Sequence, residues 1–405
     1  MIPRRCTLLL GLLLALPGPQ SLPAATLGQD VPLWLEEAWQ KNPQDLQLGL
    51  TLLQHYFKQQ DNTRALTLAR QLYATYPNNP EVLKALIVSL LANGDANTAL
   101  NHANKLTELQ SSSPDAWYLL GLVYAQKSDN APAQKALDRA VALQPDNLPA
   151  LELKTRLYLR EQRYKEALES ARSIQTRFPT MPLGYQFEGD IYTQQREFAK
   201  AISAFQTAFS KAPGTPLALA LANAQWWADN QAEAVKTLKS WLATNPKDIN
   251  ARTQLLMYLN SLQRNAEAIA EGETILKQEP DNGIAVNNLA ALYQQVGDKR
   301  ALEFAERAMQ LAPQSPDVAD TLGWILVQSN QQLPRGLELL RQALAQKADP
   351  LIRSHLAAAY AKAGQREEAL RELDKLQQLN KLSSNKLPPQ LLADMQKLQD
   401  GLQQK

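Results

Sequence analysis

A ruler of 34 residues laid along this chain meets the same residue types at the same marks about ten times, and no other feature narrows the fold so far. Residues 114–145 read PDAWYLLGLVYAQKSDNAPAQKALDRAVALQP. With Pro114 as position 1, Trp117 stands at 4, Leu120 at 7, Gly121 at 8 and Tyr124 at 11. Ala133 follows at 20, Leu137 at 24, Ala140 at 27 and Pro145 at 32. Started at Pro182, the ruler meets Tyr185, Gly189, Tyr192, Ala201, Phe205, Ala208 and Pro213. A small residue recurs at position 20 from Ala65 through Ala99, Ala167, Ala234 and Ala268 to Ala369. In the unit holding Ala301 the spacing is one residue short, and in the unit holding Gly336 one residue long.

Apolar residues three and four apart describe one face of a helix, so each unit reads as two helices whose faces meet. Small residues at 8 and 20 let the two backbones approach, and proline at 32 stops the second helix. One such unit cannot bury both of its faces, so neighbours must stack. These marks resemble the tetratricopeptide repeat (TPR). The resemblance implies an all-α fold, a right-handed superhelix (α-solenoid) of about ten helix-turn-helix repeats over 46–379. Asp30 to Asn42, DVPLWLEEAWQKN, reads as an N-terminal capping helix, and 388–404 as a C-terminal one. No composition shift marks a second domain.

Composition agrees with helices. Aromatic residues are 6% of the chain within a hydrophobic share of 45%, a mix poor in the residues that favour strands. The first residues read differently. Arg4 and Arg5, an apolar run from Leu8 to Leu16 and small residues at Ala24 and Ala25 form a secretory signal peptide, residues 1–24, too short to span a bilayer. The single cysteine, Cys6, leaves with it, which removes disulfides, thiol nucleophiles and cysteine metal sites from the mature chain. Losing two of 42 Lys+Arg brings the balance level with 40 Asp+Glu, which argues against a nucleic-acid partner. The chain is expected to be exported to a bacterial periplasm with no membrane span after cleavage, at most peripheral at a membrane.

No catalytic constellation appears. His55, His102 and His355 stand alone in separate repeats, none with a partner at i+4 that would make a metal pair. No phosphate-cradling glycine loop or nucleophile elbow is present, so the expectation is a protein that is not an enzyme and needs no cofactor or metal. A binding role remains, and the TPR resemblance places it on the concave face of the first helix of each pair, mainly at positions 2, 5, 9, 12 and 13, which packing does not dictate. The known clamp for acidic tails needs lysine at 5 and asparagine at 9 of one repeat, and no repeat here carries that pair. Those marks carry instead Arg156, Gln186, Asp190, Asn223, Asn287, Asp320 and Trp324, with Trp226 and Trp227 at 12 and 13. Aromatic faces among amides and carboxylates suit an extended peptide, a helix, or a sugar chain. For the tryptophans the alternative is packing: Trp226 or Trp227 filling an irregular sixth repeat, and Trp324 lying on a neighbouring helix.

Residues 281–376, which include DTLGWILVQ and IRSHLAAAYAKAG, resemble the C-terminal part of the PrsT-type TPR proteins that accompany exopolysaccharide and exosortase (PEP-CTERM) systems. This chain is shorter than those proteins and has no usable lipobox. The resemblance implies an envelope scaffold that holds protein partners, or polysaccharide, near a polysaccharide assembly or export machine. The alternative is a general periplasmic assembly factor for secreted or outer-membrane proteins.

Overall fold

The computed structural model describes residues 33–330, 332–382 and 387–403; the signal segment lies outside them. Among the described residues there are 22 helices and no strand. Helix Leu33–Lys41 comes first, then ten pairs from Leu46–Lys58 with Asn62–Thr75 to Pro350–Lys362 with Arg366–Leu382, and last Pro389–Gln403. The chain divides into two compact units at Pro213 and Gly214. Five pairs fall in each, and the second unit opens on the irregular repeat whose first helix is Thr215–Trp227.

The small residues do what their spacing requires. Ala65, Ala99, Ala133, Ala167, Ala201, Ala234, Ala268 and Ala369 are all fully buried. A side chain at Gly189 would stand 2.6 Å from the Phe205 ring. At Gly323 a Cβ would come within 3.0 Å of the Gly336 carbonyl oxygen, and at Gly336 within 2.9 Å of the Gly323 carbonyl, so here two helix backbones touch. Two repeats solve the same crossing with polar groups. Thr155, at position 8, shares a buried 2.7 Å hydrogen bond with Ser170, and Thr237 donates to Gln225, at position 11, over 2.8 Å.

The turn inside nine of the ten pairs closes in one way. Position 15 takes a left-handed backbone in all ten repeats: Gln60, Ser128, Gln162, Arg196, Asp229, Gln263 and Asn330, with glycine at 94, 297 and 364. In those nine pairs the next N–H reaches back to the carbonyl five residues earlier, as from Asp61 to Tyr56, Asp129 to Tyr124 and Arg163 to Tyr158. This 6→1 bond is the Schellman closure of a helix C-terminus, which satisfies carbonyls that the helix end would strand. The freed chain re-enters the second helix at once, with Asp61 and Asp95 capping Arg64 N and Thr98 N at 2.9 and 3.1 Å.

The missing and extra residues are absorbed next to these turns. In the pair Gly283–Gln295 and Arg300–Leu311 the Ala301 N–H bonds Asp298 O, three residues back, where Ala133 bonds Asp129 four back. The short unit tightens its first turn and shortens its second helix. In the long unit Gln332 adds a second left-handed residue beside Asn330.

Within the first unit, helix Pro80–Ala92 touches both Leu46–Lys58 and Pro114–Gln126, and the latter touches Leu148–Arg160. Within the second, Pro316–Gln328 touches both Gly283–Gln295 and Pro350–Lys362. All of these are first helices. Among the described residues no two second helices meet as closely, so the first helices line the inner side of each unit.

Candidate functional site

In the fourth and fifth repeats the inner positions of the first unit are polar. Arg156 donates to Glu152 Oε1 from Nε at 3.1 Å and from Nη2 at 2.7 Å, and its guanidinium lies 5.1 Å from the centre of the Phe187 ring. Gln186 and Asp190 are half-buried on the following first helix, Leu183–Gln194. Tyr118, at position 5 of the third repeat, is 1% exposed. Burial pushes its phenol up, with Glu152 and Asp115 adding to the shift.

The second unit builds one arrangement twice. Tyr258 donates its hydroxyl to Asn223 Oδ1 at 2.5 Å, and its ring stacks on Trp226 with centroids 4.0 Å apart and planes 6° from parallel. His355 shares a 2.8 Å hydrogen bond from Nδ1 with Asp320 Oδ1, and its ring stacks on Trp324 at 4.3 Å and 12°. In each case a ring on one first helix reaches the preceding first helix. There it meets a polar residue 35 positions earlier and a tryptophan about one turn further along.

Four of the nine sequence-derived residues are thus gathered in two pairs, one by Tyr258, which no motif marked, and one by His355, which in sequence stands alone. Trp227 is gathered by neither and stands 64% exposed, with Met257 of the next first helix 49% exposed. Asn287 is half-buried, and its Oδ1 is buried with no hydrogen-bond partner among the described residues. Tyr258 and His355 were legible in principle. Stacked first helices pair position p with position p+1 of the next repeat, so a search at the period plus one finds both.

The histidines differ in setting. Burial pulls His55 and His102 below the ordinary value of 6.5, helped by Lys58 and Lys105. His102 also meets the edge of Tyr73 at 4.7 Å. At the start of helices Thr215–Trp227 and Ile249–Ser261, Thr215, Asn245, Asp248 and Asn250 help line an open depression of about 540 Å³. Its carboxylate is already committed. Burial pushes Asp248 up, but hydrogen bonds from Thr215 Oγ1 and Trp241 Nε1, both 2.6 Å, outweigh that and hold it below the ordinary value. Among the described residues no helix is long and apolar enough to cross a membrane.

Comparison with known proteins agrees with the ruler. Tetratricopeptide repeat models match residues 56–123 and 192–256 and, separately, 268–386. A model of anaphase-promoting complex, cyclosome, subunit 3 matches 92–174. A TPR repeat-containing protein of Pseudomonas aeruginosa is 28% identical over 178 residues, 41% of this chain and 29% of that protein. Anaphase-promoting complex subunit 3 of Schizosaccharomyces pombe is 23% identical over 231 residues, 56% of this chain and 35% of that one. The chain therefore spans about a third of the length of the curated relatives it matches. Among solved structures, a tetratricopeptide repeat protein from Parabacteroides merdae covers 61% of this chain and 98% of its own at 18% identity and TM-score 0.46. MamA of Desulfovibrio magneticus covers 42% and 97% at 20% identity and TM-score 0.37.

Proposed function

We propose that this chain, built of tetratricopeptide repeats, is a non-enzymatic scaffold of a bacterial envelope that holds a segment of a partner protein on the inner faces of its units. The observation that carries this reading is the exposed pair Trp227 and Met257 beside the Trp226–Tyr258–Asn223 constellation. A half-buried indole on a buried, hydrogen-bonded tyrosine, next to an exposed indole and a thioether, is the chemistry of a protein contact. An export signal at residues 1–24 supports placing it in the periplasm, and the likeness of 281–376 to PrsT-type proteins supports a role in exopolysaccharide assembly or export.

Photo-crosslinking groups at positions 227 and 257, in the native cell, test the partner. Cross-links to components of a polysaccharide machine are expected. Cross-links to outer-membrane or secretion assembly proteins instead would replace the pathway but keep the scaffold, and no cross-link above that of an outer-face control would remove the binding face. Mass spectrometry of the periplasmic fraction checks the address: the mature chain should begin at Ala25 or Thr26.

A further inference from the structure

Asp320 is a carboxylate that the fold buries against a histidine, with no lysine or arginine beside it. It is 8% exposed, and the hydrogen bond to His355 Nδ1 at 2.8 Å is its contact with the next repeat. The lysines and arginines near it in sequence are engaged elsewhere. Arg353 pairs with Glu372, Lys347 with Asp317 at 2.6 Å, and Lys362 donates to the Val327 and Gln328 carbonyls at 2.6 and 3.1 Å. Among the described residues no lysine or arginine forms an ion pair with Asp320. A carboxylate taken this far out of water is ordinarily matched by a permanent positive charge, which a histidine supplies only while it is protonated.

Trp324 lies one helical turn further along the same inner face. One side of its indole is covered by the His355 ring, and the indole is the aromatic surface that attracts cations best. The carboxylate is not sealed: its side chain keeps 12% of its surface, and that of His355 keeps 17%, so a single cationic head can reach its edge. The charge here is opposite to that of a clamp for acidic tails.

We propose that Asp320 and Trp324 form the seat for one basic side chain, lysine or arginine, of the segment held on the inner face of the second unit. The seat rests on the reading of that face as a peptide-binding surface, and it names the residue class that surface selects. The other account of the same geometry is that Asp320 and His355 serve only to join two repeats.

Calorimetric titration of the purified protein with capped tetralysine and tetraarginine separates the two. Capped tetra(acetyl-lysine), capped tetraglutamate and spermidine are the controls. The seat requires saturable binding of the two cationic peptides at 0.15 M salt, none of the acetylated or acidic peptides, and weaker binding of spermidine. Asp320→Asn, whose amide oxygen can keep the His355 hydrogen bond, should weaken tetralysine binding at least tenfold while a cooperative melting transition shows that the variant still folds. Unchanged affinity in Asp320→Asn, or no saturable binding to the parent, overturns the seat. Spermidine binding as tightly as the peptides overturns the peptide assignment. If Asp320→Asn fails to fold, Trp324→Leu decides by the same titration: a loss of threefold or more supports the seat and an unchanged affinity removes it. Cross-links at 227 and 257 that persist while tetralysine affinity ignores Asp320 would leave the binding face standing and remove only the seat.

Discussion

At the scale of single residues, adjacent tryptophans at 226 and 227 have opposite situations. Trp226 lies flat on Tyr258, whose hydroxyl is anchored by Asn223, so its indole is part of the joint between the sixth and seventh repeats. Trp227 projects 64% of its surface to solvent. An aromatic stack contributes about 0.5–1.5 kcal/mol beyond the area it buries, and removing a large aromatic from such a contact costs about 2–4 kcal/mol in all. Trp226→Ala should therefore lower unfolding stability in urea by about 2–3 kcal/mol, and Trp227→Ala should change it by less than about 0.5 kcal/mol. Equal losses in the two variants would mean that position 227 also packs. The sequence places both side chains near the inner face by their positions in the repeat. It could not rank them, because the ring that claims Trp226 comes from the following repeat, and its reach depends on how the two first helices stack.

The element scale shows the same division between what spacing reveals and what it hides. Glycine and alanine at positions 8 and 20 stand out in the sequence because a larger residue there would meet a facing side chain or backbone, as at Gly189 and Gly323. The left-handed residue at position 15 is just as regular but is disguised by glutamine, serine, arginine and aspartate, with glycine in only three of ten turns. Polar residues are tolerated there because the Schellman bond and the cap of the next helix hold the turn closed around them. The strain is nonetheless real, about 1 kcal/mol for a non-glycine residue in this region. Gln162 (φ 59°) and Arg196 (φ 61°) each carry it. Gln162→Gly should raise stability by about 0.5–1 kcal/mol, the relief of strain exceeding the extra chain entropy of glycine in the unfolded state. Gln162→Val should lower it by more than that, because a β-branched side chain fits this conformation worst. Equilibrium urea unfolding of the pair, with m-values compared, checks both signs; a glycine variant less stable than the parent would show that the Gln162 side chain contributes more than its backbone costs.

For the whole molecule, titrating groups in both units bias stability in the same way on either side of neutrality. Hydrogen bonds and ion pairs hold carboxylates down in the folded chain: Asp61 and Asp95 by the N–H groups they cap, Asp298 by Arg300, and Glu267 at about 2 by Arg264 and Lys239. Their ordinary values are 3.8 and 4.5, so the stability they lend is complete above about 4.5 and fades as pH falls through the lower folded values. His55 and His102, pulled below 6.5 by burial, act with the same sign in a higher window, because the unfolded chain takes up their protons first. On the alkaline side burial pushes Tyr56, Tyr258 and Tyr293 up to about 12, with hydrogen bonds to Glu36 and Glu273 adding to the first and third. Their contribution is complete below 10 and is lost as pH rises toward 12. The midpoint of denaturant unfolding should therefore be flat between about pH 7 and 10, decline gently from 7 to 5, and fall more steeply below 4.5 and above 10. His102→Phe, which removes one of the two burdened imidazoles, should flatten the gentle arm without touching the other two. A midpoint that rises between pH 7 and 5, or that ignores the ionisation of the tyrosines, would mean that the groups controlling stability lie elsewhere in the chain.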